Sequence, residues 1–306
     1  MRADLHVHSF HSGYNGDLPF LRSRDCYADP EDVYRTAKAR GMDLVTITDH
    51  DSIDGCLEFL SRHPDADDFI VGEEITCWTP AAPAIEVHLA AYGMTERAHR
   101  EVQPLRRNVL EVAAYLRREV IFFALNHLFH FYTGQVPLAR YLALLEVSPA
   151  LETRNGAMLP AHNRLVETIV ASTGHAIVGG SDAHTLRRVG RTWTSAPGRT
   201  REEFLANLAA GHGRAEGQEG GAFPLAADIY GVIAQYWLSL LGLQRHELGW
   251  PRRAFGMAFS LASMPFEFTP LVVATIQKRR EAQRVRTCEA QLVPDLLAPS
   301  RLIRES

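Results

Sequence analysis

Cysteine is scarce in this sequence: Cys26, Cys56, Cys77 and Cys288 are the four in 306 residues, and no two form a C-x-x-C pair. That excludes a disulfide framework and offers no zinc knuckle. Positive charge is not in excess either. The chain carries 32 Lys and Arg against 36 Asp and Glu, a net charge of −4, and residues 201–306 hold 12 basic and 11 acidic side chains. The first 200 residues are therefore mildly acidic, which speaks against a bulk nucleic-acid-binding surface. No internal repeat or low-complexity tract is visible, and Met1-Arg2-Ala3-Asp4-Leu5-His6 lacks the apolar core of a signal peptide. A cytoplasmic, reduced protein is the expectation. With 46% hydrophobic and 22% charged residues, the chain can bury a substantial core without staples. Histidine is what it has in plenty: 14 residues, about twice the usual share.

Short apolar runs alternate with helical segments. Strands are expected over residues 3–7, 44–48, 69–71, 85–92, 120–125, 142–147 and 176–179. Asp29-Pro30-Glu31-Asp32 supplies an N-cap, a first-turn proline and two acids ahead of a helix that Gly41 stops. Residues 97–118 read as one long amphipathic helix and 160–173 as another, ended by Gly174. Thr200-Arg201-Glu202-Glu203 reads as a capping box. About seven strands alternating with helices indicate a parallel α/β architecture, which a barrel can close. The glycine-rich run 211–221 reads as a linker, dividing a domain of residues 1–210 from a helical extension of 222–306.

Six histidines stand at or beside the C-terminal ends of expected strands, next to carboxylates. His6-Val7-His8 closes the first strand, and alternation puts both imidazoles on one face. Thr48-Asp49-His50-Asp51 follows the second, and Gly72-Glu73-Glu74-Ile75 the third. His88 lies in the fourth, Asn126-His127 ends the fifth, and Gly180-Ser181-Asp182-Ala183-His184 ends the last. In a parallel α/β fold these strand ends share one rim, so residues scattered over the chain converge on one pocket. Neutral imidazoles with carboxylates form the mixed set that suits Zn, Mn or Fe.

In these motifs the sequence resembles the polymerase and histidinol phosphatase (PHP) family over residues 1–200. The matching residues are Asp4-Leu5-His6-Val7-His8-Ser9, the run from Ala37 to Asp43 leading into Thr46-Ile47-Thr48-Asp49-His50, Gly72-x-Glu74-Ile75, Glu86-Val87-His88, and Gly180-Ser181-Asp182-Ala183-His184. The resemblance implies a distorted (β/α)7 barrel of the PHP type with two or three divalent ions at its rim, hydrolysing phosphate esters through a metal-bridged hydroxide. It implies a first metal on His6, His8, Glu74 and Asp182. Glu74 would bridge to a second on His88 and His127, and a third would take His50 and His184. Glu74 rather than Glu73 is the match, because the family glutamate directly precedes the Ile-type residue. The family's further third-site ligand would fall at Gly13 or Tyr14, so His11 and Asp17 are the nearby substitutes. His127 is followed by Leu128 rather than the common proline, with His130 close behind.

Arg191, just past the last ligand motif, resembles a recurrent family position that could meet a phosphate bidentately, or it forms a salt bridge on the rim. Asp49 or His184 could orient the water or protonate the leaving oxygen. Glu152, Arg154 and Asn155 also face the rim, whereas Arg22, Arg24, Arg187 and Arg188 read as solvated surface charges. The 39 residues from His88 to His127 leave no room for a large insertion. The substrate expected is therefore a small phosphomonoester. Alternatives are a nucleotide or short-oligonucleotide diesterase, and a non-catalytic metal-binding module working through its C-terminal helices. Those helices read as a layer packed on the barrel or a homodimer contact, with a membrane-surface element as the rival: the apolar stretch 255–276 contains Glu267, Pro265 and Pro270, which argue against a simple span.

Overall fold

The computed structural model describes residues 1–16, 19–80, 82, 84–130, 138–244, 248–263, 265 and 268–296. Nine strands form one sheet: β1 (Arg2–Asp4), β2 (Leu44–Ile47), β3 (Phe69–Trp78), β4 (Glu86–Tyr92), β5 (Phe122–Leu125), β6 (Ala150–Asn155), β7 (Ala176–Gly180), β8 (Thr192–Ser195) and β9 (Arg214–Gly217). Helices α1 (Pro30–Ala39), α2 (Asp54–Arg62), α3 (Glu96–Val102), α4 (Val109–Arg118), α5 (Leu138–Val147), α6 (Pro160–Thr173) and α7 (Arg201–Ala209) surround it, followed by α8 (Ala222–Leu240), α9 (Trp250–Ser263) and α10 (Thr269–Leu296). The sheet runs β7-β6-β5-β4-β3-β2-β1-β8-β9. It curls into a nearly closed barrel, because beyond β1 and β7 the chain pairs again: Val7 bridges Ala183 in parallel, with His8 N–H donating to the Ala183 carbonyl at 3.0 Å. Gly180 makes that approach possible, since a Cβ there would stand 2.4 Å from the His6 Cβ.

Local signals set several elements. Asp29 accepts from Glu31 N–H and Pro30 opens α1, and Thr200 accepts from Glu203 N–H to open α7. α6 ends at Gly174 in the left-handed region, φ 73°.

Other expectations are corrected by the structure. The run 142–147 is not the sixth strand but the end of α5: Tyr141, Leu144 and Leu145 are buried at helical spacing, and Pro149 prevents the helix from continuing. The sixth strand is the next run, β6. β3 is ten residues long, so Glu73 and Glu74 lie inside it rather than after it. Too few residues separate β3 from β4 for a crossover helix, so β4 runs antiparallel to both neighbours. The reversal brings His88, near the start of β4, to the rim where β3 ends. Pro104 and the Asn108 cap divide the stretch 97–118 into α3 and α4. The glycine-rich run read as a linker contains β9, paired antiparallel with β8.

The chain beyond residue 221 contributes to the core. Val285, Cys288 and Leu292 of α10 join the main apolar cluster of α4, α5 and α6, and the Tyr141 hydroxyl lies 3.0 Å from Cys288 Sγ. The stretch 255–276 is divided between α9 and α10, with Glu267 outside the described residues. Among the described residues no helix is long and apolar enough to cross a membrane.

Candidate metal centre

Glu74 is fully buried, and imidazoles face both its oxygens. Oε2 lies 3.1 Å from His6 Nε2, 3.4 Å from His8 Nε2 and 3.2 Å from His50 Nδ1. Oε1 lies 3.0 Å from His88 Nδ1 and 3.2 Å from His127 Nε2, and accepts from Asn126 Nδ2 at 2.9 Å. Asp182 Oδ1 stands 3.6 Å from His6 Nε2, 3.5 Å from His8 Nε2 and 3.6 Å from His184 Nδ1. Residues from six strand ends thus meet around one carboxylate. Four overlapping groups have atoms close enough to share an ion: His6–His8–Glu74, His6–His127–Asp182, His50–Glu74–His88 and His8–His50–His184. Two members sit in the left-handed region, which few non-glycine residues adopt: His127 (φ 25°) and Asp182 (φ 50°).

The proton positions around His8 show what this donor set can hold. The Ser12 hydroxyl has one proton, which it donates to Asp49 Oδ1 at 2.8 Å. It therefore accepts from His8 Nδ1–H, also at 2.8 Å, and the His8 Nε2 lone pair faces Glu74 and Asp182 with no hydrogen-bond partner. His6 differs: its Nδ1 lies 2.9 Å from Glu152 Oε1 and its Nε2 3.1 Å from Glu74 Oε2, so carboxylates face both ring nitrogens. A bare, buried His8 nitrogen among further imidazoles and carboxylates fits a divalent transition metal.

The electrostatics agree. Burial alone would raise the Glu74 pKa, but His6, His88, His50 and the His127 contact hold it well below the carboxylate range. Burial alone would lower His88 and His184, but Glu74 and Glu86 hold His88 at about 9, and Asp25 and Asp182 hold His184 at about 10. Burial pushes His50 down to about 3. Metal binding must displace the protons that this cluster otherwise keeps.

Sequence reasoning missed Asp25. Its Oδ2 lies 2.9 Å from His184 Nε2 and 3.8 Å from His50 Nε2, the place considered for His11 or Asp17. His11 turns elsewhere, its Nε2 meeting Glu58 Oε2 of α2 at 2.8 Å, and Asp17 lies outside the described residues. No spacing signal could have found Asp25, because an excursion over residues 13–24 separates it from His8. Glu73 faces the other way, toward His99 Nδ1 (3.0 Å) and Gln103 Nε2 (2.8 Å). Asp49 accepts from Ser9 N–H and Oγ, both at 2.6 Å, besides Ser12, so its oxygens are committed to positioning. Arg191 is exposed and its Nε donates to the Arg187 carbonyl at 3.0 Å. Arg188, read as solvated, is buried and pairs with Asp228 of α8.

The C-terminal helices hold the rim loops. Asp228 of α8 also receives Arg187 Nη2 at 2.7 Å, and Tyr236 Oη donates to the Leu21 carbonyl at 3.2 Å. From α10, Lys278 Nζ donates to the Ala157 carbonyl, and Glu281 accepts from Leu159 N–H, both at 2.6 Å. That loop follows Asn155, whose Nδ2 donates to Glu152 (2.9 Å) and Asp182 (3.1 Å).

Residues 160–212, spanning α6 to α7, match the family model described as PHP-associated. The fold matches a two-domain protein from Bacteroides vulgatus containing a predicted PHP-like metal-dependent phosphoesterase, at TM-score 0.50 and 17% identity over 78% of this chain and 69% of that one. The barrel has the PHP-type fold. The fold also matches PsfC from Pseudomonas syringae, at TM-score 0.50 and 17% identity over 77% of this chain and 97% of that one. An uncharacterized protein of Methanocaldococcus jannaschii is 40% identical over 58 residues, 19% of this chain and 33% of its own length. The match thus spans about a third of that relative.

Proposed function

We propose that this protein is a PHP-type metal-dependent phosphoesterase acting on small phosphate monoesters. The observation that carries the reading is Glu74, whose two oxygens face two separate sets of imidazoles, as a carboxylate shared between two cations would. In this reading His6, His8, Glu74 and Asp182 hold one ion, and Glu74, His88 and His127 a second. His50, His184 and Asp25 hold a third. Such ions, Zn, Mn or Fe by donor type, supply Lewis acidity, neutralising phosphoryl oxygens and lowering the pKa of water.

The chain's own residues do the rest. Glu152 and Asn155 orient His6 and Asp182, and Asp49 fixes the His8 tautomer through Ser12. Where the third ion is not bound, His184, whose Nε2 lies 2.9 Å from Asp25 Oδ2, is our candidate for orienting the water or protonating the leaving oxygen. The preference for small substrates rests on the short β4–β5 connection, which carries only α3 and α4. The test is elemental analysis of protein purified without chelator, together with a screen of aryl, sugar, nucleotide and oligonucleotide phosphates across Mn, Zn and Fe. At least two ions per chain and hydrolysis of monoesters are expected. Fewer than one ion, with no gain on reconstitution, rejects the reading. Full metal occupancy without turnover of any ester favours a non-catalytic metal-binding module.

A further inference from the structure

We propose that Arg22, Arg24 and Arg252, gathered around Tyr14 beside the metal centre, form a subsite for a second phosphoryl group of the substrate, one that is not cleaved. The inference rests on the phosphoesterase reading for the reaction, but its own evidence is separate. The chain leaves the H-x-H pair at His8, makes the excursion over residues 13–24, and returns at Asp25. Its described ends pair as a hairpin: Tyr14 bridges Arg24 antiparallel, Asn15 N–H donates to Ser23 O at 2.9 Å, and Asp25 N–H to Gly13 O at 3.2 Å. Both its ends are thus anchored in the metal cluster.

On this hairpin the Arg22 guanidinium lies 3.9 Å from the Tyr14 ring centre, and that of Arg24 lies 3.9 Å from Phe10 and 4.3 Å from Tyr14. Neither has a carboxylate partner among the described residues, whereas Arg106, Arg154, Arg187 and Arg188 each have one. Arg22 holds the left-handed conformation (φ 54°), and its Nε is buried with no hydrogen-bond partner. Arg252 of α9 adds a third positive charge: the Tyr14 phenol is drawn down by Arg22 first, with the charges of Arg24 and Arg252 adding to the effect. α9 is held on the hairpin by Phe255 and Phe259, 6.3 and 5.5 Å from the Phe20 ring. Close cations without counter-charge repel one another, and a bound dianion removes that repulsion. Stacked guanidiniums keep their in-plane N–H edges free for bidentate contact, the geometry that phosphate oxygens take.

The experiment uses the full-length, metal-loaded protein and two substrates, fructose 1,6-bisphosphate and 4-nitrophenyl phosphate. Arg24→Gln and Arg22→Gln should each lower the kcat/KM preference for the bisphosphate about tenfold, the loss expected for one charge-assisted contact, and Arg24→Lys should recover part of it. A second arm measures binding of inorganic phosphate to the chelator-treated protein by calorimetry, expected to weaken by a similar factor in both glutamine variants. An unchanged preference together with unchanged phosphate binding overturns the subsite. If no ester is hydrolysed but phosphate binding needs Arg22 and Arg24, the phosphoesterase reading falls and the subsite stands. If esters are hydrolysed without preference and no arginine-dependent binding is seen, the subsite falls alone.

Discussion

Replacing Glu152 by glutamine changes one atom in a buried side chain of β6, yet it should disarm His6, a proposed metal ligand two strands away across the barrel closure. Glu152 is 1% exposed. Its Oε1 faces His6 Nδ1 at 2.9 Å, while Oε2 accepts from both His127 N–H and Asn155 Nδ2, each at 2.9 Å. All three neighbours are donors, and glutamine has only one acceptor oxygen. If that oxygen takes the Oε2 place, the amide NH2 faces His6 Nδ1. His6 must then carry its proton on Nε2, the nitrogen that faces Glu74 and Asp182, and can no longer ligate. If the amide turns over, its NH2 opposes two donors, at about 1–3 kcal/mol for each buried group left unsatisfied. Substitution of such an outer partner typically weakens metal affinity about 10- to 100-fold, or about 1.4–2.7 kcal/mol. Titration of Mn or Zn against a chromophoric chelator reads this directly, with circular dichroism to confirm an unchanged fold. An affinity within twofold of the parent would show that Glu152 does not set the His6 tautomer, or that His6 is not a ligand.

Glu74→Gln should lower metal content and turnover together, whereas Glu73→Gln, whose partners are His99 and Gln103, should alter only stability; elemental analysis giving the opposite order rejects the choice between them. Asp25→Asn should remove about one ion per chain and leave the others bound, because its contacts are confined to His184 and His50. Leu292→Ala, at a fully buried position of α10, should cost about 2–5 kcal/mol in urea unfolding; an unchanged midpoint would mean that α10 is not part of the core. His162 is buried, accepts from Phe129 N–H at 3.3 Å, and has its pKa pushed down to about 3 by burial. Because that lies below the unfolded value of about 6.5, its contribution to stability is complete above that pH and is lost as the pH falls toward 3, by up to about 1.4 kcal/mol per unit. His162→Gln keeps an acceptor but cannot titrate, so the chelator-treated variant should lose stability less steeply with acid; equal slopes contradict the assignment.

What the sequence by itself determined acts over a turn or two of chain. The Asp29-Pro30 and Thr200 starts and the Gly174 stop are hydrogen-bond and backbone-conformation effects among neighbours, and α1, α6 and α7 lie where those signals place them. The same locality made the H-x-H pair legible, because i, i+2 alternation puts both members on one face, whereas Asp182 and His184 lie past the end of β7 with Asp182 in the left-handed region. Tertiary structure decided what lies beyond that reach. A leucine-rich run of ten residues serves as strand or helix with little local difference, and Pro149 together with the burial of Tyr141, Leu144 and Leu145 makes it α5. The glycine-rich run 211–221 has loop composition, yet the open edge of β8 recruits four of its residues as β9. Asp25 reaches His184 only because the excursion returns to the rim, and Glu152 reaches His6 only because the barrel closes through Val7 and Ala183. Which carboxylate meets which imidazole is a through-space matter, set by the curvature of the sheet and not by any spacing along the chain.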